Sequence, residues 1–295
     1  MTDSPAVISL DQAYDECQAI TRREARNFYY AFVTLPRPRR RAIYAVYAFS
    51  RLADDIADGD GSSETKAAEL ARLRSDLHEA ISGRPHGSIM VALADAASTY
   101  AIPESLFADV IDGVEMDIEP RRYASFEELE LYCRKVASAV GLISIQVFGY
   151  HDATAKQHAI DLGLAMQLTN IMRDLREDAE IERVYLPQDE LARFGYTEEE
   201  LTAGIINDAF LALMRFQAAR ARRYFESGAL LMPLLERRSR GCAAGLHHLY
   251  SRLLDRIEQR GFDVFSGRVG LPVWEKLRLT LTLWATSLIP RRQDS

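Results

Sequence analysis

The sequence predicts an all-α protein, and three observations lead to that prediction. Apolar residues recur at helical spacing along most of the 295 residues, as they do in amphipathic helices. No stretch alternates apolar and polar residues for more than a few positions, so strands are not predicted. Glycine and proline fall mostly between the periodic segments, where they would end helices rather than interrupt them. Because no repeat, low-complexity tract or Gly/Ser/Pro-rich linker divides the chain, we expect residues 1–295 to form one domain.

Ten segments have the helical period. In chain order they run approximately over residues 9–34, 37–58, 64–82, 88–100, 103–118, 125–149, 153–179, 206–236, 240–260 and 270–288. Pro36, Pro38, Pro103, Pro187 and Pro272 lie at or near the starts and stops, as expected for a residue that helix interiors exclude. The glycine- and serine-containing stretch 59–63 separates the second segment from the third.

Composition excludes several classes of protein. A net charge of −7 and a pI near 5.5 argue against a nucleic-acid-binding protein, which would need a strongly basic face. Cys17, Cys133 and Cys242 are too far apart for a metal-binding motif, and their odd number favours a reduced, cytoplasmic compartment. The N-terminus has no signal-peptide pattern. The most apolar C-terminal stretch, Leu277–Pro290, is shorter than the roughly 20 residues of a spanning helix.

A basic run at residues 37–41 raises the alternative of peripheral membrane contact. Arg37, Arg39, Arg40 and Arg41 stand at the start of the second segment, and each positive charge near an anionic lipid surface contributes about 1 kcal/mol. A solvated helix start is the simpler interpretation. The oligomeric state cannot be predicted from such features.

Two acidic clusters stand out near the ends of two predicted helices. Asp54 and Asp58 lie in the first, Asp174 and Asp178 in the second, and each pair is four positions apart. In a helix such a pair shares one face, with Cβ atoms roughly 5–6 Å apart. Two carboxylates at this separation repel by about 3 kcal/mol at an effective dielectric constant of about 20, and a helix C-terminus adds negative potential. The clusters therefore predict a cation site.

Asn170 extends the second cluster, because Asn170, Asp174 and Asp178 recur at every fourth position. Oxygen donors of this kind suit Mg²⁺, which is usually shared between one or two carboxylates and substrate phosphates. Arg51, one turn before the first cluster, can close a salt bridge or bind a phosphate oxygen. Two facing clusters would hold Mg²⁺ against a diphosphate.

Two other kinds of site do not fit the sequence. A di-iron carboxylate bundle needs Glu-x-x-His pairs, and none of the six histidines has glutamate three residues before it. Nucleotide-binding folds of the Rossmann or P-loop type carry a glycine-rich phosphate loop, and the sequence has neither form of it.

Three stretches carry a resemblance to a known family. Residues 27–58 combine an aromatic run, a Leu-Pro pair and the first acidic cluster, residues 132–141 contain a Tyr-Cys-Arg-Lys-Val-Ala motif, and residues 167–187 contain the second cluster. In this order, and over roughly residues 20–290, the chain resembles the squalene/phytoene synthase family. It is most similar to the bacterial enzymes that make squalene or its presqualene and dehydrosqualene relatives. The resemblance implies a class I isoprenoid synthase-like helical bundle around a central cavity.

The resemblance also implies roles for individual residues. Metal ligands would be Asp54, Asp58, Asn170, Asp174 and Asp178, and together with Tyr47 and Arg51 these would form the catalytic set. Contacts to diphosphate or to the reaction centre would come from Arg51, Arg173, Arg183, Tyr185, Tyr250 and Arg268. The prenyl chains would be enclosed by Phe28, Phe32, Tyr47, Val136, Ala137, Val140, Gly141 and Gln167. One departure is Ala25, where family members often carry serine, and Arg26 could compensate.

The implied activity is a Mg²⁺-dependent head-to-head condensation of two farnesyl diphosphates to presqualene diphosphate. Squalene would follow if NADPH supplied a hydride. Two alternatives remain open, namely phytoene from geranylgeranyl diphosphate and hydroxysqualene from capture of water. An alternative of a different class is a non-catalytic helical homologue that binds a partner protein, although such a protein is expected to lose its acidic clusters.

Overall fold

The structure, a computed structural model, describes residues 8–25, 28–272 and 274–275. Helices dominate these residues, and extended pairing among them is limited to two isolated bridges, Arg122 with Val184 and Tyr150 with Leu235. The all-α prediction is confirmed. In chain order the helices are α1 (Leu10–Glu24), α2 (Phe28–Phe32), α3 (Arg37–Asp58), α4 (Ser63–Ile81), α5 (Gly87–Thr99), α6 (Glu104–Glu115), α7 (Phe126–Cys133), α8 (Ala139–Phe148), α9 (Ala155–Arg173), α10 (Leu175–Glu180), α11 (Gln188–Phe194), α12 (Glu198–Thr202), α13 (Asp208–Ala229), α14 (Leu231–Leu234) and α15 (Arg240–Gln259).

Helix starts follow the sequence signals. Pro36, Pro103 and Pro187 are the N-cap residues of α3, α6 and α11, where no helical N–H is lost. Ser9 and Thr197 begin α1 and α12 with complete capping boxes, in which two otherwise unpaired backbone N–H groups are satisfied.

The helices that carry the acidic clusters lie on opposite walls of a central cavity. On one side α3 packs against α1, α5, α6 and α8, and on the other α9 packs along α13 and against α8 and α15. The buried apolar residues of these helices form one continuous cluster. The single domain over residues 1–295 stays a prediction.

Several predicted helices are interrupted in the structure. The 9–34 segment is divided at Ala25, whose backbone (φ −82°, ψ 48°) is not helical. The 153–179 segment is divided at Asp174 (φ −101°, ψ 14°), and the 206–236 segment at Leu230. The short helices α11 and α12 were not predicted, because seven and five residues are too few for a clear period. The predicted helix 270–288 lies almost entirely outside the described residues, as do Arg26 and Asn27.

A π turn over Arg134–Ser138 joins α7 to α8 within the predicted segment 125–149. It packs on α6 at Gly113, where a Cβ atom would lie 2.6 Å from Cγ1 of Val136. Such turns are rare and often occur at functional sites. Here the turn carries Val136 and Ala137, both of which line the central cavity.

The helical stretch Phe126–Phe148, with a mean hydropathy of 1.3, is long and apolar enough to cross a membrane. However, 44% of its most apolar window is buried inside the protein, and its second half lines the central cavity. The composition of this stretch is therefore explained by its place in the core. Leu277–Pro290 lies outside the described residues.

The basic run at the start of α3 is partly neutralised. Arg39 forms a salt bridge with Glu236, and Arg41 lies 2.6 Å from Asp11. Peripheral membrane contact through this run stays a prediction, as does the cytoplasmic location. The three cysteines are free and buried.

Candidate active site

An apolar cavity of about 270 Å³ lies between α3 on one side and α8 and α9 on the other, with α2, α14 and α15 completing its walls. All eight residues that were expected to enclose prenyl chains line it. They are Phe28, Phe32, Tyr47, Val136, Ala137, Val140, Gly141 and Gln167.

Aromatic rings form the wall that α2 and α3 contribute. The ring centroids of Phe28 and Phe32 are 6.0 Å apart, and that of Tyr47 lies 6.2 Å from Phe28 and 6.4 Å from Phe32. Tyr250 of α15 is buried behind this wall, 5.7 Å from Phe28, and its hydroxyl interacts with Asn170. Burial raises the pKa of Tyr250.

The far end of the cavity was not predicted. Along α3, Ile43 stands eleven positions before Asp54, which is about 16 Å at the helical rise. Residues that line the cavity but were not singled out by sequence are Ile43, Val46, Ser50, Ser144, Ile145, Phe148, Ala159, Leu162, Gly163, Met166, Leu231, Ala243 and Leu246. Mostly apolar and on helices, they have the same spacing as core residues, so no sequence signal distinguishes them.

Gly141 has a second role besides lining the cavity. A Cβ atom there would lie 2.7 Å from the carbonyl oxygen of Ala159, so its absence also allows α8 to approach α9 closely.

A polar pocket of about 360 Å³ adjoins the apolar cavity. Asp54, Gln167 and Asn170 line both spaces, so the two meet at these side chains. The polar pocket is lined by Arg51, Asp54, Ala57, Asp58, Val114, Asp117, Tyr132, Gln167, Asn170, Arg173, Asp174, Arg183 and Tyr185.

The two acidic clusters face this pocket from different helices. Asp58 is the last residue of α3, while Asp174 occupies the break between α9 and α10. The predicted continuous helix over residues 153–179 is therefore wrong at Asp174. Even so, the Asp174 N–H donates to the Asn170 carbonyl at 2.9 Å, and the Asp174 carbonyl accepts from the Asp178 N–H at 2.8 Å. Asp178 does not itself line the pocket.

Burial and like charge raise the pKa of one carboxylate in each acidic cluster. Burial, and then the charge of Asp58, raise the pKa of Asp54 to about 7. Burial, and then the charge of Asp174, raise the pKa of Asp178 to about 7. The side chain of Asp54 is exposed where it lines the pocket, although many protein atoms lie around its carboxylate. Each raised pKa means that the ionised form of the carboxylate is destabilised by burial and by its charged neighbour. A bound cation would stabilise the ionised form.

Arginines contact both clusters. Asp174 accepts hydrogen bonds from Arg173 (Nε–Oδ1 2.7 Å) and from Arg268 (3.1 and 3.3 Å). Arg183 donates to Asp58 at 3.1 Å, and Arg51 lies 2.5 Å from Asp55. These cations stand beside the pocket, where they could also bind an anion.

The donor set fits Mg²⁺. Asn170 Oδ1 is buried and has no hydrogen-bond partner among the described residues, which is costly for a polar atom unless another group binds it. Asp54, Asp58, Asn170 and Asp174 supply oxygen atoms only, as this ion prefers. Within the described part of the chain, however, no three acidic, histidine or cysteine side chains form a group that could hold a metal ion. The geometry thus fits Mg²⁺ that completes its coordination with phosphate oxygens.

Asp117 and Tyr132 also line the polar pocket, and sequence reasoning assigned neither a role. Asp117 accepts a hydrogen bond from the hydroxyl of Tyr132 at 2.7 Å and from that of Tyr185 at 2.8 Å. In the sequence Asp117 stands between Glu115 and Glu119, so it resembles one charge of a solvated helix end. Tyr132 is the first residue of the family-like stretch 132–141, and this position was the only sequence signal for a role of Tyr132.

Comparisons with known proteins identify the family of this chain. The squalene/phytoene synthase family model matches residues 21–275. The chain is 40% identical to the 15-cis-phytoene synthase of Synechococcus elongatus, over 93% of each chain, and 39% identical to the phytoene synthase of Mycobacterium tuberculosis, over 95% of this chain and 93% of that one.

Solved structures have the same fold. A dehydrosqualene synthase in complex with ligand superposes with a TM-score of 0.87 at 27% identity, covering 94% of this chain and 97% of that one. The squalene synthase HpnC from Alicyclobacillus acidocaldarius gives 0.81 at 26% identity, covering 86% and 96%. The chain therefore belongs to the squalene/phytoene synthase family and is an all-α prenyltransferase.

Proposed function

We propose that this protein is a Mg²⁺-dependent phytoene synthase that joins two molecules of geranylgeranyl diphosphate head to head. One observation carries the choice of substrate. The relatives at 40% and 39% identity, each matched over more than nine-tenths of both chains, are named phytoene synthases, whereas the dehydrosqualene and squalene synthase structures are 27% and 26% identical. Farnesyl diphosphate, the substrate first expected from the sequence, thus becomes the second candidate.

In this proposal Asp54 and Asp58 hold Mg²⁺ from α3, and Asn170 and Asp174 hold it from the opposite wall, with Asp178 supporting Asp174. Mg²⁺ supplies Lewis-acid stabilisation of the negative charge that develops on a leaving diphosphate. Placing the two clusters on different helices lets each contribute one or two oxygens while the diphosphate supplies others.

Arg173, Arg183 and Arg268 are proposed to bind the diphosphate as its charge grows. They contact Asp174 and Asp58, so those carboxylates hold them beside the pocket. Donors that are already in place stabilise a developing charge without a further cost of reorganisation.

The apolar cavity protects the allylic cation that remains after the C–O bond breaks. Aliphatic side chains and the rings of Phe28, Phe32 and Tyr47 exclude water. Each aromatic face that meets the cation contributes about 0.5–2 kcal/mol. The double bond of the second prenyl chain then attacks the cation, a proton is lost, and a cyclopropylcarbinyl diphosphate forms.

Product identification tests this proposal. The purified protein is incubated with Mg²⁺ and either geranylgeranyl or farnesyl diphosphate, with and without NADPH, and organic extracts are analysed by mass spectrometry. We expect a C40 hydrocarbon from geranylgeranyl diphosphate that does not require NADPH, because only reduction to squalene consumes a hydride. A C30 product alone would replace phytoene synthesis with the farnesyl alternative. Absence of any product from either substrate would overturn both.

A further inference from the structure

A cluster of three tyrosines surrounds the carboxylate of Asp117. Rings of Tyr132 and Tyr185 are stacked with centroids 5.2 Å apart, and Tyr123 lies 5.7 Å from the first and 6.0 Å from the second. All three tyrosines are buried. Tyr132, Tyr185 and Asp117 line the polar pocket beside the acidic clusters.

The hydroxyl of each of the two pocket tyrosines donates a hydrogen bond to Asp117. Tyr132 donates to Oδ2 at 2.7 Å and Tyr185 donates to Oδ1 at 2.8 Å. The two phenol oxygens also lie 3.4 Å from each other, a much longer contact than those to Asp117. A phenol has one O–H donor, so when both protons point at Asp117 neither hydroxyl has a proton left for another strong hydrogen bond. Burial raises the pKa of both phenols, and they are therefore protonated donors near neutral pH.

Asp117 also joins separate parts of the chain. It follows α6, Tyr132 belongs to α7, and Tyr185 follows α10. Arg183 links this cluster to the first acidic cluster, since it donates to the backbone oxygen of Asp117 at 2.9 Å and to the carboxylate of Asp58 at 3.1 Å. A substitution at Asp117 would thus alter the contacts of two tyrosines and of an arginine that line the pocket.

We propose that Asp117 is a positioning residue for the condensation, which orients the hydroxyls of Tyr132 and Tyr185 so that their oxygen atoms serve the polar pocket as hydrogen-bond acceptors only. This inference rests on the proposed function, because it assigns the acceptors to a pocket that binds diphosphate.

The orientation has a chemical consequence. Diphosphate oxygens are themselves acceptors, so a phenol whose proton is held by Asp117 cannot donate to them. Binding of the leaving group then falls to Mg²⁺ and the arginines, while the two phenol oxygens accept from N–H groups, bound water or an acidic proton of the reacting chains. Loss of Asp117 would release both hydroxyl protons, and the two phenols would lose the fixed orientation in which their oxygen atoms act only as acceptors.

The proposal differs from a role for Asp117 as a metal ligand. Both of its carboxylate oxygens already accept a hydrogen bond, in contrast to Asn170 Oδ1, which has none within the described part of the chain. A metal ligand would act without the tyrosines, whereas a positioning residue acts through them. That difference is measurable in a double-mutant cycle.

The test compares Asp117→Asn in two backgrounds, the natural protein and the Tyr132→Phe/Tyr185→Phe variant. In the natural protein we expect kcat to fall about 100-fold, the size of effect caused by small misplacements in an active site, with KM and the half-saturating Mg²⁺ concentration changed by less than about threefold. In the Phe/Phe background we expect Asp117→Asn to change kcat by less than about threefold, because its partners are gone. Glu119→Gln, an exposed carboxylate two residues along, serves as the control and should leave kcat unchanged.

The inference is overturned if Asp117→Asn costs the same factor in both backgrounds, if it chiefly weakens Mg²⁺ binding, or if it leaves kcat unchanged. Should that variant fail to fold, as judged by circular dichroism, the single Tyr132→Phe and Tyr185→Phe variants decide the question. Both are expected to lose kcat at nearly constant KM, and unchanged kcat in both would reject the proposal. If the natural protein itself condenses neither substrate, the proposed function fails before any variant is compared.

Discussion

The polar pocket and the apolar cavity are neighbours with opposite compositions. Carboxylates, arginines and tyrosines line the first, whereas aromatic and aliphatic side chains line most of the second, and only Asp54, Gln167 and Asn170 belong to both. The difference shows how one bundle can concentrate charge for departure of a leaving group and exclude water a few ångströms away. Variants in the two spaces should therefore change different properties.

The largest effect is expected in the polar pocket. Asp54→Ala or Asp174→Ala should lower kcat at least about 1,000-fold. The loss of a metal ligand removes several kcal/mol of stabilisation from the leaving group, and each 1.4 kcal/mol corresponds to a factor of ten in rate. Release of diphosphate from a labelled substrate measures turnover, and far-ultraviolet circular dichroism should show unchanged helical content. Asp60→Ala, an exposed carboxylate beyond α3, is the control. Near-normal activity in either pocket variant would reject the metal assignment.

A smaller and more selective effect is expected at the far end of the apolar cavity. Ala243→Phe should fill the space beside Leu231 and Ile43, which line the same cavity. Use of geranylgeranyl diphosphate should then fall about tenfold or more relative to farnesyl diphosphate, with little change in the Mg²⁺ requirement. Competition assays with both substrates give this ratio directly.

Leu246→Met provides the matched control for that cavity variant, because Leu246 lines the same space and the exchange nearly conserves volume. Its substrate ratio should stay close to that of the natural protein. If Ala243→Phe lowers the use of both substrates equally, this end of the cavity does not determine which prenyl chain length the protein accepts.

The pH dependence of stability and of Mg²⁺ binding should be a property of the polar pocket and not of the apolar cavity. The pKa values of about 7 for Asp54 and Asp178 lie above that of an unfolded aspartate, about 3.9. The metal-free protein should therefore lose stability as the pH rises from about 4 through 7, and Mg²⁺ with pyrophosphate should restore it above pH 7. Mg²⁺ affinity should fall by up to about tenfold per pH unit below 7 for each carboxylate that must ionise.

Thermal melting between pH 5 and 8, with and without Mg²⁺ and pyrophosphate, measures this effect. Asp54→Asn should flatten the pH dependence, because one of the two titrating groups is gone. A stabilisation by the ligands that is equal at pH 5 and pH 8 would contradict the account.

The smallest effect on chemistry is expected at Gly141. A methyl group there would lie 2.7 Å from the carbonyl oxygen of Ala159, so Gly141→Ala should destabilise the protein by about 1–3 kcal/mol while the folded fraction keeps its Mg²⁺ dependence. Gly61→Ala is the control, since its nearest neighbour would be a methyl group of Thr65 at 3.4 Å. Chemical denaturation gives both values, and equal stabilities would show that α8 and α9 can move apart at no cost.

Much of the fold could be predicted because its signals are local. Apolar periodicity and proline positions located α3, α6 and α15 to within a few residues. Interruptions were missed, since the break at Asp174 and the π turn over Arg134–Ser138 depend on contacts between helices, such as that of Val136 with Gly113. Short α11 and α12 were missed for lack of length.

In the candidate site, too, local patterns could be recognised in the sequence, whereas contacts between distant residues could not. Residues in dense motifs, such as Asp54 and Asn170, were found because like charges at helical spacing require an explanation. Asp117 was missed because its significance comes from two tyrosines 15 and 68 positions away. Leu231 and Ala243 were missed because an apolar residue that faces a cavity and one that faces the core have the same sequence pattern.

In the proposed mechanism, oxygen donors on two opposite helices clamp one metal–diphosphate unit at the top of an apolar cavity. A crystal structure with Mn²⁺ and a non-reactive thio-diphosphate analogue of the substrate tests it most directly, because anomalous scattering locates the metal. We expect Mn²⁺ to lie between the α3 carboxylates Asp54 and Asp58 and the opposite pair Asn170 and Asp174, with the prenyl chain in the apolar cavity. Metal bound to only one of these helices, or a prenyl chain outside the cavity, would contradict the account.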